Sequence, residues 1–228
     1  MPRTFAIGDI HGCLSLLNTL LATLKPMLDD TFIFLGDMID RGPDSKGVID
    51  RIIALEKYCN VIAICGNHEE MMLGSLNQPE YIKYWLRYGG DAALASFGLV
   101  AEASSVSQIP VKYRQWLGSL LAYFETDDFI FCHASPNRGT PIAAQQDDLR
   151  WRVLDKHDGR HLSGKTIICG HSAQHSGKVY QQEGLVCIDT FAYGGGNLTA
   201  LELLSKTSAQ IWQVSDHTAA PTQQKITL

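Results

Sequence analysis

Phe5-Ala6-Ile7-Gly8-Asp9-Ile10-His11-Gly12 is the stretch on which the reading of the fold turns. Three apolar residues suit a buried strand, and they run into a glycine and then into a carboxylate and an imidazole. The same arrangement recurs along the chain. Phe32 to Leu35 runs into Gly36-Asp37-Met38-Ile39-Asp40-Arg41-Gly42, and Ile62 to Cys65 into Gly66-Asn67-His68-Glu69. Phe129 to Cys132 runs into His133-Ala134, and Ile167 to Cys169 into Gly170-His171. Each apolar strand thus delivers Asp, Asn or His just past its C-terminal end, the edge where α/β sheets place their ligands. Glycine at these ends lets the backbone turn sharply or approach a ligand closely.

Carboxylate, amide oxygen and imidazole together form a ligand set for borderline divalent metals such as manganese, iron or zinc. Asp9 and His11 are two apart in an extended segment, so both side chains can face one site. Asp37 has two oxygens and can bridge two ions, while Asn67, His133 and His171 can complete the second. Two ions about 4 Å apart would clamp the attacking and leaving oxygens of a displacement at phosphorus, and would acidify a shared water.

The bulk composition fits this reading. The 228 residues carry 19 Lys and Arg against 24 Asp and Glu, a net charge of −5. A chain of this size hides roughly 70% of its unfolded surface and needs no disulfide staples. Mild acidity argues against a broad nucleic-acid face. The six cysteines, Cys13, Cys59, Cys65, Cys132, Cys169 and Cys187, include no C-x-x-C pair. With no signal-peptide core and no apolar run near 20 residues, a reduced cytoplasmic protein is expected.

The first two thirds alternate strands with helical patterns. Leu14, Leu17, Leu20, Leu21 and Leu24 recur at helical spacing, as do Val48, Ile49, Ile52, Ile53 and Leu55. Segments 69–76, 79–88 and 91–97 read as helices broken at Pro79 and Gly89-Gly90, and Pro110 as opening a helix that reaches about Leu121. A hairpin is expected over 121–132, then strands at 166–169, 178–181, 185–188, 198–204 and 210–214. Alternating β and α followed by a meander predicts two packed sheets with helices outside. The expected division is one domain over 1–214 and a polar tail over 215–228, to which no element is assigned.

Gly-Asp-x-His-Gly at 8–12, Gly-Asp-x-x-Asp-Arg-Gly at 36–42 and Gly-Asn-His-Glu at 66–69 resemble the three signature motifs of the phosphoprotein phosphatase family of metallophosphoesterases. His133 and Gly170-His171 resemble its two later metal-ligand motifs, in the family's order. Cys187-Ile188-Asp189-Thr190 and Leu198-Thr199-Ala200-Leu201 resemble its closing strands, and the short length resembles the compact bacterial and bacteriophage-lambda-type members. The resemblance implies an α/β (α+β) calcineurin-like metallophosphoesterase fold, two packed mixed β-sheets flanked by helices. Asp9 and His11 would bind a first metal, Asp37 would bridge, and Asn67, His133 and His171 would bind a second. His68 would be the general acid, Asp40 its orienting partner, and Arg41 a fork for phosphate oxygens, with Asn67 beside the substrate. The family places a further phosphate-binding Arg near a Trp. Here the text is Leu149-Arg150-Trp151-Arg152, one position off the usual spacing; Arg152 is favoured and Arg150 kept open.

The resulting expectation is a two-metal phosphomonoesterase acting by direct attack of a metal-bridging hydroxide. The favoured substrates are phosphoserine and phosphothreonine in a protein or peptide, with phosphotyrosine and small aryl phosphates as further candidates. One alternative is a dinucleoside polyphosphate hydrolase or phosphodiesterase of the same superfamily; another is an inactive metal-binding interaction module. No nucleic-acid partner, no membrane and a monomer are expected. Glu69 is read as helix-start chemistry. Cys65, Cys132 and Cys169 are read as small buried strand residues. His157, His161, His175 and His217 sit in polar text and are expected at the surface. Tyr81, Tyr84, Trp85 and Tyr88 form a helical stripe read first as packing and second as a cleft wall.

Overall fold

The computed structural model describes residues 2–102, 104–217 and 220–228. Its strands are β1 (Thr4–Ile7), β2 (Thr31–Phe34), β3 (Asn60–Ala63), β4 (Tyr123–Glu125), β5 (Phe129–Cys132), β6 (Thr166–Cys169), β7 (Tyr180–Gln182), β8 (Leu185–Cys187), β9 (Leu198–Ser205), β10 (Ser208–Val214) and β11 (Thr222–Thr227). The helices are α1 (Leu14–Leu24), α2 (Ser45–Leu55), α3 (Asn67–Asn77), α4 (Pro79–Trp85), α5 (Asp91–Ser96), α6 (Val111–Gly118) and α7 (Asp148–Trp151). Leu86–Gly90 forms a helical turn, kinked at Gly89, between α4 and α5.

The strands make two mixed sheets, in the orders β11-β10-β9-β1-β2-β3 and β4-β5-β6-β8-β7. In the first, β1, β2 and β3 run parallel; in the second, β5, β6 and β8 do. Period-two alternation decides which side chains meet. Ala6, Ile33, Phe131, Ile168, Val186 and Leu201 fill the layer between the sheets. Phe5, Ile7, Phe32 and Phe34 point the other way, onto the leucine stripe of α1 and onto Val48 and Ile52 of α2. Ile130, Cys132, Ile167, Cys169, Leu185 and Cys187 form the outer core of the second sheet. The helices α3 to α6 bury a separate cluster around Trp85, Leu94, Tyr113 and Leu117. Fully burying a side chain of this size contributes about 2 kcal/mol.

Two expectations about extent are corrected. The helix after Pro110 ends at Gly118, because Leu121 bridges alongside Ile64: its N–H donates to Ala63 and its carbonyl accepts from Cys65. The stretch after 214 is not only a tail. Within it, β11 pairs antiparallel with β10 from Ser208↔Thr227 to Gln213↔Thr222. Its polarity hid it, because an edge strand needs few apolar residues. His161 is also corrected: it is buried, between Ser163 Oγ and the carbonyl of Thr140. Among the described residues no helix is long and apolar enough to cross a membrane.

One buried ion pair ties the start of β1 to that of β2. Asp30 is fully buried and accepts from Arg3 N–H at 3.2 Å, Arg3 Nε at 3.1 Å, Arg3 Nη2 at 2.5 Å and Met27 N–H at 2.8 Å. The Arg3 guanidinium also donates to the carbonyls of Leu24 and Lys25, which closes the end of α1. Burial works to raise the Asp30 pKa, but the hydrogen bonds and charge of Arg3 outweigh it and hold the carboxyl below its usual range. A lowered folded-state pKa stabilises the fold above the unfolded value near 4, and that stability is lost as pH falls through the folded value. Asp30→Ala is expected to cost about 3 kcal/mol at neutral pH and to flatten the loss of stability below about pH 4. Denaturant melts between pH 2 and 7 check both; a wild-type-like acid profile in the variant contradicts the assignment.

Candidate metal centre

The C-terminal ends of β1, β2, β3, β5 and β6 open onto one edge of the molecule, and the chemistry collects there. The chain leaves these strands through backbone that most side chains avoid. His11, Asp37, Asp40, Arg41, His171 and Phe191 all have φ between 45° and 72°. Outside this region the only such non-glycine residue among those described is Lys25, which closes α1. Left-handed backbone in bulky residues marks sites held by their surroundings. Two glycines permit the close approach of backbone to carboxylate. A Cβ at Gly66 would run into Asp37 Oδ1, and one at Gly170 into Asp9 Oδ1.

The imidazole tautomers follow from their partners, since a carbonyl only accepts. His133 Nδ1 donates to the Leu35 carbonyl at 2.9 Å, His171 Nε2 to that of Trp151 at 3.1 Å, and His11 Nδ1 to that of Ile39 at 2.9 Å. This is how proteins orient metal-binding imidazoles. That leaves the opposite nitrogens able to offer lone pairs to a cation. His133 Nε2 lies 3.3 Å from Asp37 Oδ1 and 3.0 Å from the Asn67 amide, and His171 Nδ1 lies 3.1 Å from the same amide. His11 Nε2 lies 3.5 Å from Asp37 Oδ2. Turned with its nitrogen inward, the Asn67 amide faces four acceptors: both Asp37 oxygens and the two imidazole nitrogens. A buried pocket walled by acceptors calls for a cation. Two groups of donor atoms meet that need, His11 with Asp37 and His68, and Asp37 with His133 and His171. Asp37 belongs to both, which suits a bridging ligand.

The charges say the same. Asp9, Asp37 and Asp189 are at most 3% exposed. Burial, then Asp189 and Asp37, push the Asp9 carboxyl well above its usual range. Burial also works against the Asp37 carboxylate, but His133 and His68 outweigh it and hold its pKa well down. Asp9 accepts the backbone N–H of His171 on both oxygens, at 3.2 and 3.1 Å, so the two sheets meet at this carboxylate. Two divalent cations here would relieve the crowding of negative charge, and the residues present fit them.

His68 differs from the ligands. Its Nδ1 is 2.6 Å from Asp40 Oδ2, and its Nε2 is buried without a partner, 3.9 Å from Asp37 Oδ2. Burial lowers its pKa, but Asp37 and the hydrogen bond to Asp40 outweigh burial and raise it, which favours imidazolium. Arg41 Nη1 approaches His11 Nε2 at 3.0 Å, and its guanidinium lies 4.4 Å over the ring of Tyr193.

Both candidates for the second arginine are held by carboxylates. Arg152 donates to Asp158 at 2.7 and 2.9 Å, with Ser135 beside it. Arg150 is paired with Glu70 at 2.7 Å and lies 3.7 Å from Asp147. Arg41, by contrast, reaches the candidate ligand His11. Four contributors were not read as such from the sequence. Glu69, fully buried, accepts the backbone N–H groups of Asp37 at 2.9 Å, Met38 at 2.8 Å, Ile39 at 3.3 Å and Gly66 at 2.9 Å. It pins the loop that carries Asp37, and burial, then Asp37, push its pKa up to about 7. Asp189 follows β8 as Asp9 follows β1 and Asp37 follows β2, a signal the text did carry. Trp85 was read with its stripe as packing or a cleft wall, and Tyr193 was not singled out. Cys132 and Cys169 are buried strand residues as expected, and Cys65 is partly covered.

The sequence pattern of calcineurin-like phosphoesterases matches residues 2–175. Serine/threonine-protein phosphatase 1 of Salmonella typhimurium is 39% identical over 90 residues, 39% of each chain. A symmetrical bis(5'-nucleosyl)-tetraphosphatase of Ralstonia nicotianae is 43% identical over 68 residues, 30% of this chain and 23% of that one. The chain therefore spans under half the length of the curated relatives it matches. A solved candidate diadenosine tetraphosphatase superposes with a TM-score of 0.68 at 20% identity, covering 94% of this chain and 96% of that one.

Asp37→Asn is expected to weaken manganese binding at both positions, which calorimetric titration reads directly; unchanged stoichiometry and affinity contradict the bridge. Glu69→Ala is expected to lower metal affinity about 10- to 100-fold although Glu69 is no ligand, because the Asp37 loop loses its anchor.

Proposed function

From the premise that the chain belongs to the calcineurin-like phosphoesterase family, we propose that it is a two-metal phosphomonoesterase acting on phosphoserine and phosphothreonine in proteins or peptides. The observation that carries this reading is the dyad of His68 and Asp40 beside Asp37: a buried imidazole whose outward nitrogen has no protein partner. Asp9, His11 and Asp37 would hold one cation, and Asp37, Asn67, His133 and His171 the other. When bound, the two cations supply Lewis acidity and lower the pKa of a coordinated water.

The protein's own groups do the rest. Arg41 presents a planar fork to phosphate oxygens, steadied by the Tyr193 ring. Water adds to phosphorus, the ester P–O bond breaks, and the leaving oxygen takes the proton from His68 Nε2. Asp40 keeps the Nδ1 proton in place throughout and stabilises the positive ring before transfer. The products are the free hydroxyl side chain and inorganic phosphate.

A second reading, a dinucleoside polyphosphate hydrolase, is favoured by the likeness to bis(5'-nucleosyl)-tetraphosphatases and by an open aromatic cleft of about 500 Å³. Glu80, Tyr81, Tyr84 and Trp151 line it. Trp151 is the residue whose carbonyl accepts from the ligand His171. Such walls suit a stacked base as well as an apolar peptide side chain.

Turnover of a phosphoserine peptide and of diadenosine tetraphosphate, side by side with manganese, separates the two readings. The peptide is expected to be the better substrate, and chelator is expected to abolish its turnover; cleavage of the nucleotide alone rejects the first reading. His68→Asn is expected to retain bound metal yet lower kcat on the phosphoserine peptide about 100-fold.

A further inference from the structure

We infer that Trp85, on a helix that supplies no metal ligand, is a positioning residue for the general acid; this rests on the phosphoesterase reading above. Its indole is fully buried and its Nε1–H donates to Asp40 Oδ2 at 2.7 Å. That oxygen is the same one that holds His68 Nδ1 at 2.6 Å. The other oxygen, Asp40 Oδ1, is buried with no partner. The carboxylate is therefore gripped at one atom from two directions. Without the indole N–H it is free to turn about its Cβ–Cγ bond, exchange its oxygens and carry the imidazole with it.

The chain around Trp85 is shaped to make this contact. After α4 it passes through the turn Leu86–Gly90, which is kinked at Gly89. Gly89 has φ 105°, and its carbonyl accepts the Arg41 N–H at 3.1 Å. A Cβ at Gly89 would run into the Arg41 backbone, and one at Gly90 into the Trp85 indole. The Gly-Gly pair thus lets one short segment reach both members of the machinery, the acid's partner through an indole and the phosphate fork through a carbonyl. The other three indoles also donate to carboxylates, Trp116 to Glu56, Trp151 to Glu70 and Trp212 to Glu202, but these glutamates are neither buried nor members of the dyad.

The role predicts a loss that depends on the leaving group. A phosphoserine peptide needs its leaving oxygen protonated; p-nitrophenyl phosphate does not. Trp85→Phe is expected to lower kcat about tenfold on the peptide and less than about twofold on p-nitrophenyl phosphate, with manganese stoichiometry unchanged. Ile82→Ala opens a cavity in the same helical cluster while leaving the indole N–H in place, and is expected to show no such selectivity. An equal loss on both substrates in Trp85→Phe, no loss on either, or the same selectivity in Ile82→Ala overturns the inference. If Phe at this position prevents folding, 3-benzothienylalanine placed at position 85 keeps the ring shape, lacks the N–H and is held to the same outcomes. Wild-type protein that hydrolyses neither ester overturns the phosphoesterase reading itself, which tells the two failures apart.

Discussion

Asp37 holds a negative charge almost wholly out of water, 2% exposed, and needs compensating charge close by, from His68 and from the cations that the facing nitrogens would help to hold. The cost of burying a lone carboxylate is several kcal/mol, so the neighbours are obligatory. His11 and His68 stand on one side, and His133 and Asn67 on the other. The left-handed backbone at His11, Asp37, Asp40, Arg41 and His171 is what brings these groups round the charge. Glu69 stabilises the Asp37 turn by accepting its buried N–H groups.

The two sheets divide the work. The first supplies Asp9, His11, Asp37 and, at the mouth of α3, Asn67 and His68. The second supplies His133 and His171. Each sheet carries an incomplete set, and the apolar layer of Ala6, Ile33, Phe131 and Ile168 between them sets the distance at which the halves meet. The helices α3 to α6 bury a further cluster, from which Trp85 reaches back to Asp40. The proposed dyad is thereby contacted by a part of the chain that supplies none of the proposed metal ligands after Asn67.

Much of this was legible in the text. Apolar runs ending in Gly-Asp, Gly-Asn and Gly-His marked the ligand edge, because strand length and chemistry-bearing side chains are local properties. The two sheets followed from the change of pattern after residue 166. What escaped depends on distance in space. That Arg152 is claimed by Asp158, six positions on, is a matter of competing partners that spacing near a tryptophan does not reveal. Glu69 is the helix-start acid it was read as, accepting the Gly66 N–H, but its other three N–H donors lie 30 or more positions away. Trp85 and Asp40 are 45 apart, and nothing in an aromatic stripe says which ring has a polar errand. The edge strand at 222–227 was missed because its text, Thr-Gln-Gln-Lys, is polar.

The hydrogen bond from His171 N–H to Asp9 joins residues 162 positions apart. Closing so long a loop is slow and comes late in folding. During synthesis, the amino-terminal half-site emerges well before its other jaw, and no stretch ending short of residue 171 holds the full donor set. Cation capture at the second position would therefore be coupled to docking of the two sheets, and a bound ion would stabilise only the finished fold. A chain that has paired its strands but not closed its sheets lacks the complete donor set.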